Sequence, residues 1–231
     1  MRLYQNVWML ALLGLIIIIT SIVVITEDNI TGNVVNTRVN IIQSLPLSCS
    51  FQLEEGWNMV SFYCFGALVN RSVALASIDG SYDSVFKYQA NDPLDPWKSY
   101  NPDLPNWTVQ QLNYFDRFSG YWIYMDSSFS NETNSSNITT DPLNFTYFGV
   151  YSDSNIPLYK GWNFIGYPRN VTANVTFILA GIPYTAIRTY EAATDTWYYY
   201  LNGTGGSLQI FEPFNGYWLN VSSNVTLTVL G

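Results

Sequence analysis

The sequence contains no histidine. That removes the commonest general base, the commonest metal ligand and every Ser-His-Asp or Cys-His arrangement. Cysteine is scarce: Cys49 and Cys64 are the only two, too few for a zinc site that has no imidazole to complete it. Charge is thin as well, at 11% of residues, and its balance is acidic, with a net charge of -8. No basic surface is available to attract phosphate backbones, so nucleic acid is not an expected partner. Any catalysis would rest on carboxylates alone. The aspartates at 79, 83, 92, 95 and 103 lack the alternating ligands of a calcium loop, and no spacing singles out a glycosidase pair. They read as solvated turn residues. The expectation is a protein that is not an enzyme and holds no cofactor or metal.

What is abundant is aromatic and apolar. Aromatic residues make up 17% of the chain, with 18 Tyr and 8 Trp. Residues 7–25 read VWMLALLGLIIIITSIVVI, without a charge. As a helix this run would rise roughly 28 Å, close to the thickness of a bilayer core. Arg2 precedes it, and Glu27 and Asp28 follow it. Positive charge stays cytoplasmic, so residues 27–231 are expected outside a single-pass cell membrane anchor. A cleaved signal peptide is the competing reading; it would have a shorter apolar region ending in small residues, whereas 22–25 are bulky.

Export carries an expectation about modification. Asn-x-Ser/Thr occurs at Asn29, Asn70, Asn106, Asn131, Asn134, Asn137, Asn144, Asn170, Asn174, Asn202, Asn220 and Asn224, never with proline at x. Chance pairing at this composition gives about 4 such sites. All twelve follow the apolar segment, as expected of an extracellular glycoprotein whose glycans supply the solvation that charged side chains supply elsewhere. The even cysteine count fits the same setting. Cys49 and Cys64 flank SFQLEEGWNMVSFY nearly symmetrically about Glu55-Gly56, so a hairpin there would bring them together as a disulfide.

The chain repeats itself. Gly56-Trp57-Asn58 and Gly161-Trp162-Asn163 each open a segment, and Gly120-Tyr121-Trp122 and Gly216-Tyr217-Trp218 each close one. Between them, residues 70–78 align with 174–182 as a short helix with Ser72 or Thr176 at its N-cap. Residues 82–88 align with 184–190 as a strand, and 97–100 with 197–200 as another. Short turns between strands predict antiparallel pairing.

The expected fold is mainly β with one short helix per module: two tandem antiparallel β-rich repeat modules after an N-terminal transmembrane helix. The division is an anchor at 1–26, a stalk at 27–47, a first module at 48–126, a Ser/Asn/Thr-rich glycosylated linker or loop at 127–150, and a second module at 151–231.

Recurrence at matched positions assigns Trp57/Trp162, Trp97/Trp197 and Trp122/Trp218 to core or strand packing. Trp107 has no counterpart in the second copy and lies in a polar stretch, which makes it the candidate ligand contact. The end motifs resemble a repeat of archaeal and bacterial secreted and membrane-anchored surface proteins. With the anchor and dense sequons, the whole looks like an archaeal cell-surface glycoprotein. The resemblance implies a surface setting and supplies no site residues. The expected function is structural, adhesive or assembling in the cell envelope, with a glycan-binding module or an extracellular filament subunit as alternatives. Expected partners are the membrane, other envelope proteins, glycans or further copies of the chain.

Overall fold

Alternation of buried and outward residues along its strands organises the chain into antiparallel sheets. The computed structural model describes residues 46–105, 107–126, 143–148 and 154–229, with 46–49 and 143–148 described by their backbone alone. Among the described residues no helix is long and apolar enough to cross a membrane; the apolar segment at 7–25 lies outside them.

The first half contains β1 (Pro46–Phe51), β2 (Gly56–Val60), β3 (Val69–Asn70), the one-turn helix α1 (Arg71–Ala74), β4 (Tyr82–Tyr88), β5 (Trp97–Tyr100), β6 (Tyr114–Phe115), β7 (Tyr121–Met125) and β8 (Leu143–Phe148). The second half contains β9 (Ser154–Leu158), β10 (Gly161–Gly166), β11 (Ala173–Asn174), α2 (Val175–Ile178), β12 (Tyr184–Glu191), β13 (Thr196–Leu201), β14 (Gly205–Gly206), β15 (Ile210–Phe211), β16 (Gly216–Val221) and β17 (Val225–Val229). The main sheets run β2-β7-β4-β5 and β10-β16-β12-β13-β14. Each half adds two ribbons, β1/β8 and β3/β6 in the first, β9/β17 and β11/β15 in the second. The fold is mainly β, and the pairing is antiparallel throughout.

Three details depart from the sequence reading. First, β1 does not form a hairpin with β2. It pairs with β8, and β2 pairs with β7. Gly56, at φ +85°, turns the chain out of one ladder and into another rather than folding it back on itself. Cys64 is fully buried and disulfide-bonded; the side chain of Cys49 lies outside the described residues. Second, β8 falls within 127–150, the range expected to be linker or loop, and it does for the first half what β17 does for the second. Third, the helix caps are Asn70 and Asn174, not Ser72 and Thr176. Both asparagines are extended, and each side-chain oxygen accepts the backbone N–H two residues on, at 3.0 and 2.9 Å. The hydroxyls of Ser72 and Thr176 donate to the same oxygens.

The structure also accounts for the two repeated frames at the level of bonds. Asn58 is buried; it accepts from Glu54 N–H at 2.8 Å and donates to the Glu54 and Gly56 carbonyls at 2.7 and 3.0 Å. Asn163 makes the same three bonds to Tyr159 and Gly161 at the same distances. The asparagine therefore closes the turn before its own strand, satisfying backbone groups that the turn leaves without a ladder. At the other end, the hydroxyl of Tyr121 accepts from Asp116 N–H at 2.8 Å, and that of Tyr217 accepts from Glu212 N–H at 2.7 Å. Each ring is fully buried, its neighbours in the strand alternating in and out.

From residue 45 onward the chain is one compact unit, and the halves meet through reciprocal contacts. Ser61 N–H donates to the Phe214 carbonyl at 2.6 Å, and Gly166 N–H donates to the Phe118 carbonyl at 2.9 Å. Residues 61 and 166 occupy matched places, as do 214 and 118. Two isolated bridges, Val60 with Asn215 and Ser119 with Ile165, follow the same exchange. The glycines of Gly-Tyr-Trp serve this approach: a Cβ on Gly120 would enter the Phe164 ring, and one on Gly216 would lie 2.9 Å from the Val60 carbonyl oxygen.

Candidate functional site

Trp57 neighbours the buried Asn58, and Trp122 lies between the buried Tyr121 and Ile123. Period-two alternation thus turns both tryptophans away from the core. In register, Trp97 stands opposite Tyr88, and Trp197 opposite Tyr190, which puts each pair on one face. The same alternation carries Trp218 out between Tyr217 and Leu219. None of the six matched tryptophans belongs to either hydrophobic core. Matched position marks a shared outer face here, and not a shared interior.

Those faces meet. Trp122 of the first half contacts Trp197 of the second at 6.0 Å between centroids, and Trp97 contacts Trp218 at 5.8 Å. Phe164 lies beneath, stacked on Trp218 at 4.7 Å with the planes 5° apart. Edge-to-face and offset contacts of this kind each add roughly 0.5–1.5 kcal/mol beyond burial. The layer is nonetheless open: Trp57 and Trp97 are each 42% exposed and Trp197 48%.

Two clefts run into it. The larger, of about 610 Å³, is lined by Trp57, Phe86, Trp97, Trp122, Tyr190 and Trp197. All six are aromatic and none is charged. The smaller, of about 380 Å³, is lined by Tyr88, Trp162, Arg188, Trp197 and Trp218. Trp197 borders both. The clefts are built from matched positions with one chemical exchange, Phe86 in the first against Arg188 in the second. The Arg188 guanidinium carbon stands 5.4 Å from the centre of the Trp162 ring, a cation–π distance. At the first cleft, the Tyr190 hydroxyl donates to Asp195 at 2.9 Å; burial and then this bond hold its pKa above the ordinary tyrosine value.

Two polar clefts also lie between the halves. One, of about 440 Å³, brings Glu54, Glu191 and Glu212 to its walls; the other, of about 210 Å³, holds Lys87 and Asp116, ion-paired at 2.6 Å. Glu191 accepts from Thr194 and Tyr198, and Glu212 from Asn215, so both carboxylates tie down local turns. Asp92 and Asp95 are held by Lys98, whose hydrogen bonds lower both carboxyls and raise the lysine. Among the described residues no group of three or more acidic or sulfur side chains could hold a metal ion.

Trp107, the contact singled out from sequence, is 84% exposed but lines neither aromatic cleft. Asn70, Asn170, Asn174, Asn202 and Asn224 are exposed, and Asn220 is half-buried on β16. Asn144 is described by its backbone on β8; Asn29, Asn106, Asn131, Asn134 and Asn137 lie outside the described residues. The residues that sequence reasoning missed are the matched tryptophans themselves, with Phe86, Tyr88, Arg188 and Tyr190. The signal was present: on both closing strands Trp alternates with Tyr, Ile or Leu, a two-faced pattern with an aromatic outer side. No family model matches the chain, and neither a curated protein nor a solved structure matches it.

Proposed function

We propose that this chain is a membrane-anchored, exported surface glycoprotein whose two repeat modules act together as a glycan-binding adhesion unit. The observation that carries the binding reading is the larger cleft: about 610 Å³ of space walled by six aromatic rings and no charged group. A sugar ring offers flat C–H faces that stack on such walls, while its hydroxyls stay with water at the open side. Concave, mostly apolar, preformed sites of this size are the usual form of small-ligand pockets. The surface setting rests on the apolar run at 7–25, the excess of sequons beyond it, and a disulfide, which persists in oxidising compartments. In this reading the disulfide joins Cys49 to Cys64, and the exposed sequons carry glycans.

The test uses the full chain in detergent on an array of neutral and acidic oligosaccharides. Binding that Trp57→Ala and Trp197→Ala each weaken by tenfold or more, with Trp107→Ala unchanged, supports the proposal. An array without a binder, or binding insensitive to both cleft tryptophans, overturns it. Partial exposure of these rings keeps the variants folded, so circular dichroism should change little.

A further inference from the structure

The two clefts are not duplicates: the second is smaller, and it alone has a charged residue in its lining. Position 86 is Phe in the first half, and its matched position, 188, is Arg in the second. In register, Arg188 stands opposite Trp218 on one neighbouring strand and Tyr199 on the other, in the middle of its sheet face. Its guanidinium carbon stands 5.4 Å from the centre of the Trp162 ring.

Other cations of the sheets are already engaged: Lys87 with Asp116, and Lys98 with Asp92 and Asp95. Arg188 has no carboxylate partner among the described residues. A guanidinium held over an aromatic ring loses less freedom on binding than a free one, and its planar fork matches a carboxylate with two parallel hydrogen bonds. The first cleft has no cation in its lining, and Tyr190 at its wall donates to Asp195. Net charge of -8 would repel an anion at long range, but that field is screened beyond about 8 Å at physiological salt. The local guanidinium therefore decides what the second cleft accepts.

We propose that the second cleft is the subsite for a carboxylate-bearing sugar, with Arg188 pairing with the acid while Trp162 and Trp218 hold the ring. The first cleft takes a neutral residue of the same chain, the two sharing the wall formed by Trp197. This inference rests on the glycan reading above and adds the acid specificity.

The experiment measures binding of the full chain in detergent to a short uronic acid oligosaccharide. The comparison ligand is the same oligosaccharide with its carboxyls reduced to alcohols. The uronate is expected to bind at least tenfold tighter, an advantage that shrinks as salt is raised. Arg188→Phe, which gives the second cleft the residue of the first, and Arg188→Gln are both expected to bring the two ligands within twofold. Circular dichroism and an unchanged denaturant midpoint show that both variants fold.

Equal binding of the two ligands by the unmodified chain overturns the acid subsite and leaves the glycan reading standing. So does a uronate preference that survives both substitutions. Binding of neither oligosaccharide, with capture of an acidic peptide through Arg188, overturns both readings.

Discussion

The two halves of this protein repeat the same frame and differ on the faces that the frame presents. Asn58 and Asn163 make the same three backbone bonds, and Tyr121 and Tyr217 anchor the same kind of turn. Where a side chain satisfies buried backbone groups there is no neutral substitute, so both halves keep it. On the outward face both halves keep their tryptophans but differ beside them, with Phe86 in the first against the exposed Arg188 in the second. The seam between them diverges too. A Cβ on Gly166 would come within 3.0 Å of the Ser61 Cβ and 2.8 Å of the Ser119 carbonyl oxygen. Residues 61 and 166 are matched positions facing each other across the seam, and there is room for one side chain between them.

The strongest test of the frame is Asn163→Ala, which leaves the Tyr159 N–H and the Tyr159 and Gly161 carbonyls without this partner. It is expected to cost about 3 kcal/mol in denaturant unfolding. Asn58→Ala should cost nearly as much, and a much smaller loss would show that the two frames are not equivalent. Next, Gly166→Ser makes the seam symmetric in sequence by forcing in a second side chain. It is expected to cost about 2 kcal/mol by overpacking. Unchanged stability would mean that the seam opens freely.

Smaller effects concern the tyrosines. Tyr121→Phe and Tyr217→Phe each remove a hydroxyl bonded to backbone and should cost about 1 kcal/mol. Burial pushes both phenols above the ordinary tyrosine value. Their raised folded-state pKa means that the contribution is intact below the unfolded value of about 10 and is lost as pH climbs toward the folded value. Unfolding measured from pH 9 to 12 should show stability falling, and falling less steeply in each Phe variant.

The smallest effect has the opposite sign. The Tyr167 hydroxyl is buried with no hydrogen-bond partner among the described residues, and the matched residue in the first half is Phe62. Tyr167→Phe should stabilise the protein by up to about 1 kcal/mol, read as a raised midpoint. A loss of stability would reveal a partner for that hydroxyl.

Much of this was legible in the sequence because strands write their faces in a period of two. The positions of β2, β4, β5, β7 and their counterparts, their antiparallel pairing and the one-turn helices follow from alternation, turn residues and the matched motifs. The hairpin expected around Glu55-Gly56 failed because a glycine with positive φ is equally compatible with folding back and with changing ladders. Only the presence of β8 and β7 decides between them. The N-caps were misplaced by two residues because Asn and Ser/Thr two apart are both good caps, and the backbone dihedrals choose.

The site was hidden for a different reason. Recurrence of Trp at matched positions shows that a place in the fold demands a large flat ring, and sequence does not say whether that place is inside one half or between two. Composition, the apolar run, the sequons and the doubled frame are local or periodic properties, so the chain by itself determined them. Seating the outer face of one sheet against the other depends on contacts between residues about a hundred positions apart. Tertiary structure alone turned six matched tryptophans, expected in core or strand packing, into the walls of two clefts, and set Arg188 over the Trp162 ring in one of them.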